Sequence, residues 1–241
     1  MICSWTNRKD YSGKRVGKVL LASAALVAIG AATAFAASIP NGNFEEGNFS
    51  GWKKQSKGDG TWFVYTAKNR KVPGPGGATL PKPFGKYAAA LKQSGPGTNY
   101  LTHTFRVPSG ATTLSLKLFW INQGGPPPGL VSAQASAEAG YWRFPGEWSV
   151  TGDRIQFFTL DLVKPSASGF TTKKSDVVTT ILKPKVGSTK ARSGGWVTET
   201  IDVSRFRGEK IKLRLVEGDN SGYLNVGLDQ VEFRSASTPT G

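Results

Sequence analysis

Asn99–Val107 reads NYLTHTFRV, Pro108-Ser109-Gly110 follows, and Thr112–Ile121 reads TTLSLKLFWI. In the first run Leu101, His103, Phe105 and Val107 fall on one face, with Thr102, Thr104 and Arg106 on the other. In the second, Leu114, Leu116, Leu118 and Trp120 share a face. A repeat of two is the strand repeat, because successive side chains leave a strand on opposite sides. A Pro-Ser-Gly break between two such runs is turn chemistry. The stretch therefore predicts two half-buried antiparallel strands.

The same pattern recurs on both sides. Thr61–Ala67 (TWFVYTA), Tyr87–Lys92, Arg154–Val163, Trp196–Val203, Lys210–Glu217 and Tyr223–Arg234 are short apolar or β-branched runs between Gly, Pro and Ser breaks. Helical periodicity is nearly absent beyond the first 37 residues. Only a turn of helix at Ser204–Phe206 or Asp176–Leu182 is expected. About eight or nine such strands predict an all-β fold of two packed antiparallel sheets, a β-sandwich. With 241 residues, 38% hydrophobic and 11% aromatic, the chain is too apolar for disorder and long enough for one unstapled core.

Rare residues exclude several chemistries. The single Cys is Cys3 and the single His is His103. No disulfide framework, thiolate zinc site or HExxH site can form within one chain. A Ser-His-Asp relay would need His103, which sits on a strand face with no GxSxG elbow to accompany it.

The first residues read as an address. Arg8, Lys9, Lys14, Arg15 and Lys18 precede an Ala-rich apolar run, Val19–Ala37, which contains Ala34-Phe35-Ala36 near its end. A basic start, an apolar centre and a small-x-small site make a helical secretory signal peptide, expected to be residues 1–36. The alternative is an uncleaved membrane anchor, and the run is only marginally long enough for that. Residues 37–234 would then be the β-sandwich, and 235–241 a flexible tail. The expected setting is extracellular, at a bacterial envelope.

Two motifs carry a resemblance. NGNFEEGNFSGW (Asn41–Trp52) resembles the opening of galactose-binding-like jelly rolls, among them carbohydrate-binding modules of families four, nine and twenty-two. GYLNVGLDQVEF (Gly222–Phe233) resembles their closing strand, with LDQV where LDxV is usual. The resemblance implies a jelly-roll sandwich and a secreted, non-catalytic domain that binds polysaccharide or cell-envelope glycan. It also implies a structural Ca2+ held by Glu45 and Asp229. Asp229 shares strand parity with Val231 and Phe233, so its acid is expected on the core side. A hydrogen-bonded Asp at a strand edge, or a salt bridge, would explain it equally.

Asn122–Ser149 is the longest irregular stretch, and long loops in compact domains are often functional. Tyr141, Trp142, Phe144 and Trp148 could stack on the apolar faces of sugar rings. Asn122, Gln123, Arg143 and Glu147 could bond their hydroxyls. The same rings could instead cap the core, as is expected for Trp120 and for Trp52, Trp62 and Trp196. Glu138, Glu147, Asp153 and Asp161 are scattered, and their spacing in sequence does not make a hydrolase pair.

Charge gives the alternative. Lys and Arg number 31 against 16 acids, for a net +15. Lys210, Lys212 and Arg214 alternate onto one strand face, expected to be solvated. Such a surface draws anionic polymers, and a structural or adhesive envelope protein would use it so. No module specific for nucleic acid is present. Membrane contact is expected only through the first segment, if it is uncleaved.

Overall fold

A computed structural model describes residues 36–72, 74, 77–123, 156–182, 195–219 and 223–235. The expected signal peptide up to Phe35, the aromatics Tyr141–Trp148 and the tail beyond Ser235 lie outside these residues.

Eleven strands form among the described residues: β1 (Ala36–Ser38), β2 (Trp52–Gly58), β3 (Thr61–Thr66), β4 (Tyr87–Lys92), β5 (Gly97–Arg106), β6 (Thr113–Asn122), β7 (Gln156–Val163), β8 (Val177–Leu182), β9 (Val197–Asp202), β10 (Lys210–Asp219) and β11 (Leu224–Arg234). One sheet runs β3-β4-β11-β6-β9, with β1 added alongside the end of β11. The other runs β2-β5-β10-β7-β8. Every pairing is antiparallel. The fold is an antiparallel two-sheet β-sandwich.

Alternation builds the interior. Leu101 and Phe105 of β5, Leu114, Leu116 and Leu118 of β6, Phe158, Leu160 and Leu162 of β7, and Ile211, Leu213 and Leu215 of β10 meet in one core. Burying each such side chain is worth about 1.5–3 kcal/mol. Trp52 and Trp62 are in this core, and Trp120 packs against its edge. A second apolar cluster lies on the outer face of the first sheet. There Tyr65, Ala88, Ala90, Phe119 and Ile121 are covered by Val72, Ala78 and Leu80. The small residues of β4 and β11 permit it: a Cβ on Gly227 would lie 2.0 Å from the Phe119 ring.

Three expectations are corrected, and β2 was not among the expected strands. β2 (WKKQSKG) shows no apolar alternation because it is an edge strand, where lysines are tolerated and discourage further pairing. Asp176–Leu182 is not helical: a 3₁₀ turn at Lys174–Asp176 leads into β8, whose VVTTIL is β-branched. The other expected turn forms at Ser204–Phe206. Asp229 does not share the side of Val231 and Phe233. A bulge between Asp229 and Glu232, with Gln230 at φ 51°, resets the parity. Asp229 pairs with Lys117 on the outer face, while Phe233 pairs with Leu114 on the core side. Arg214, finally, is not solvated: it is 2% exposed and ion-paired with Asp161 at 2.6 Å.

Candidate functional site

The loop before β2 is built around Asn41. Its Nδ2 donates to the carbonyls of Asn48 (3.0 Å) and Ser50 (3.2 Å), and its Oδ1 accepts from Glu46 N. Trp52 Nε1 donates to Asn41 O at 3.0 Å, and Phe44 stacks on Trp52 with centroids 5.0 Å apart. Asn41 and Phe44 take positive φ (49° and 57°), a conformation Asn tolerates and Phe adopts only when its surroundings enforce it. Asn41, Phe44 and Trp52 thus lock the loop, and Glu45 points out of it.

Glu45 reaches the segment before β4. Its carboxylate accepts from Lys86 N (3.0 and 3.1 Å) and Tyr87 N (3.1 Å). Gly85 allows the approach, since a Cβ there would lie 2.3 Å from Oε1. Asp229 holds the same segment from below: Oδ2 accepts from Phe84 N at 3.2 Å and Oδ1 from Gln230 N at 2.8 Å. Burial pushes the Asp229 carboxyl up to about 7, against the pull of the two N–H donors, and the Glu45 charge adds to the rise. The two acids that the sequence paired therefore do adjoin, and between them they fasten residues 84–87.

What they fasten is Phe84. Its ring is 54% exposed, the one large apolar side chain that stands in solvent among the described residues. Trp196 lies beside it with centroids 5.8 Å apart. The Trp196 indole N–H donates to Lys82 O (2.8 Å), and the ring rests edge-on against Phe119 at 4.8 Å. The Lys117 ammonium sits 5.0 Å over the Phe84 ring and donates to Thr198 Oγ1 at 2.5 Å. Two aromatic faces, one hydroxyl and one ammonium share this outer surface. Sequence reading assigned Trp196 to the core and passed over Phe84. The available signal was its setting, Pro83-Phe84-Gly85, where neither neighbour favours a strand.

The remaining candidates are placed as follows. Gln123 closes the end of β6: Oε1 accepts from Ala78 N and Nε2 donates to Asn225 Oδ1, both at 2.9 Å. Asn122 is buried opposite Leu224. Both thus lie within the fold at the root of 124–155. Tyr141, Trp142, Arg143, Phe144, Glu147 and Trp148 fall outside the described residues. His103 sits under Gly51 with Nε2 3.1 Å from Pro40 O, edge-on to Trp52 at 4.9 Å. Burial lowers its pKa, so it is a neutral ring donating to a carbonyl.

No family model and no curated protein matches the sequence. Among solved structures the chain is similar to TmCBM61 in complex with β-1,4-galactotriose, at 13% identity over 82% of this chain and 97% of that one, TM-score 0.45. It is similar to a Stig cyclase, Fisc, from Fischerella sp. TAU (14%; 85% and 98%; 0.44). It is also similar to the K1 cleaved adhesin domain of Lys-gingipain from Porphyromonas gingivalis W83 (15%; 85% and 99%; 0.40). Likenesses of this depth carry no functional weight.

Proposed function

We propose that the chain is an exported, non-catalytic carbohydrate-binding domain whose sugar contact is the Phe84–Trp196 surface. The observation that carries this reading is the exposed Phe84 ring, held in place by carboxylates on two other elements. Exposing an aromatic ring is unfavourable in water, and fixing its backbone on both sides keeps it from folding inward. A pyranose presents an apolar CH face to such a ring, while Lys117 and Thr198 stand ready for its hydroxyls. Recognition surfaces of this type join apolar walls to a few fixed polar groups.

Titration against neutral oligosaccharides tests it. Phe84→Ala is expected to weaken binding by about tenfold, the loss of one stacking contact, with no change in melting temperature. Trp142→Ala and Trp148→Ala serve as the contrast. If they abolish binding and Phe84→Ala does not, the site is the loop expected from sequence. If wild type binds no glycan, the reading itself fails.

Ca2+ at Glu45 and Asp229 is part of the same proposal. The two carboxylates suit it as far as they go, since they adjoin and the Glu45 charge raises the cost of ionising Asp229. Among the described residues no three of His, Cys, Asp and Glu converge, so further ligands would be carbonyl oxygens. The ion would neutralise the pair and strengthen the hold on residues 84–87. Added Ca2+ is expected to raise the melting temperature of wild type and not of Asp229→Asn. An equal response to Ca2+ and chelator in both proteins would remove the ion from the account.

A further inference from the structure

The outer face of the second sheet carries a separate chemistry. Register places Lys53 opposite Thr102, Thr102 opposite Arg214, and Arg214 opposite Asp161. In the next row Thr104 faces Lys212, and beyond it Arg106 faces Lys210 directly. Lys57 stands on the same side of β2, opposite Thr98. Lys53, Lys57, Arg106, Lys210, Lys212 and Arg214 thus share one side of β2, β5 and β10. Asp161 is the acid that the adjoining strand β7 supplies to it, and it is consumed: buried, it accepts from Arg214 Nη2 at 2.6 Å and from Thr159 Oγ1 at 3.0 Å.

The rest of the face is left cationic. Like charges directly opposite across two strands are destabilising, which is the situation of Arg106 and Lys210. Lys212 is crowded too. Burial lowers its pKa, and the charges of Lys53 and Arg214 lower it further. Arg214 Nε is buried without a hydrogen-bond acceptor. Cations two positions apart on a strand repeat at about 7 Å, so Lys210, Lys212 and Arg214 form a row, and Lys53 and Arg106 extend it across two neighbours.

We propose that this face binds an acidic polysaccharide, one bearing carboxylate or sulfate along its length. Its charge would neutralise the exposed Lys53, Lys210 and Arg106, and the Thr104 hydroxyl lies among them. The surface favours a polysaccharide over single-stranded nucleic acid because its aromatics, Tyr100, Phe157 and Phe170, are buried and not available for stacking bases. Tyr100 is 3% exposed, covered edge-on by Phe170 at 4.6 Å and by Gly169. The site is distinct from Phe84 and Trp196, which lie on the other sheet, so it stands or falls separately from them.

The experiment is retention of the protein on heparin, polygalacturonate, neutral dextran and single-stranded DNA as salt is raised. Lys53→Gln/Lys210→Gln removes two exposed charges from the face, and Lys68→Gln/Lys71→Gln removes two elsewhere. Binding to both acidic polysaccharides is expected to fall about tenfold at low salt in the first variant and less than about twofold in the second. Phe84→Ala is expected to leave it unchanged, whatever that variant does to neutral glycans. Equal losses in the two double variants would show net charge alone at work and overturn the site. So would absence of binding to either acidic polymer, or DNA retention as salt-resistant as theirs.

Discussion

Asp161→Ala is expected to destabilise the fold by about 3–5 kcal/mol, the usual consequence of leaving a buried charge without its partner. Arg214 is among the largest buried side chains of the described residues. Its Nη2 bonds Asp161, while Nη1 donates to Thr171 O at 2.7 Å and, at 3.5 Å, to Gly169 O. Those carbonyls belong to the segment after β7 that folds over the sheet. There Lys212 Nζ donates to Ala167 O (2.5 Å), and Phe170 covers Tyr100. Removing Asp161 leaves the guanidinium with dipoles only. It should loosen this cover before the sandwich itself opens. Removing both charges is a different matter, because an ion pair out of water gains little over packed apolar atoms. Asp161→Ala/Arg214→Met is therefore expected to recover much of the loss. Denaturant unfolding of the three proteins decides it. A single variant within about 1 kcal/mol of wild type would mean that water reaches Arg214 and that the pair is not sealed.

The fold was legible because its strands alternate. Leu101 to Val107, Leu114 to Trp120 and Ile211 to Leu215 each announce a face, and each face is where the periodicity puts it. β2 was not legible, since an edge strand needs no apolar face: WKKQSKG puts Lys53 and Lys57 on the outer side, and even Lys54, on the side of Trp52, is exposed and bonds Trp62 O. Of the candidate site, the neighbourhood of Glu45 and Asp229 was legible through motif resemblance. The direction of Asp229 was not, because one bulge residue, Gln230, inverts parity and leaves no mark in the pattern. Arg214 misled for a related reason. Alternation tells which side of a strand a residue takes, and it cannot tell that residues 167–171, more than forty positions away, will roof that side. Phe84 was passed over because exposure is a property of the surrounding surface, and single-residue hydrophobicity predicts its opposite.

Glu217→Gln is expected to stabilise the protein increasingly as pH rises. Glu217 follows Leu215 on the inward row of β10, with Asp219 next, and is fully buried. Its Oε2 accepts from Asn99 Nδ2 at 3.1 Å, while Oε1 has no partner, and neither has Asn99 Oδ1. The Asn99 amide also donates to Gln93 Oε1 (2.6 Å) and Asp59 O (3.1 Å), so its nitrogen is already shared among three acceptors. Burial drives the Glu217 carboxyl well above its ordinary value of 4.5, the charges of Asp219 and Asp59 drive it further, and the Asn99 bond only partly opposes them. The folded protein thus holds a proton that the unfolded chain releases. Stability from this group is complete below about pH 4.5 and is lost as pH climbs toward the folded value, at up to about 1.4 kcal/mol per pH unit. Glutamine cannot ionise, and its amide nitrogen in place of Oε1 would bring a donor to a cluster that has too many acceptors. Urea unfolding across the range from acid to mildly alkaline pH should show variant and wild type converging at the acid end and separating above it, with the variant more stable. Titrating groups that do not interact with Glu217 contribute alike to both proteins, so the difference isolates Glu217 together with its coupling to Asp219 and Asp59. Parallel pH profiles would mean that Glu217 is ionised in the fold and that its charge is matched by a partner.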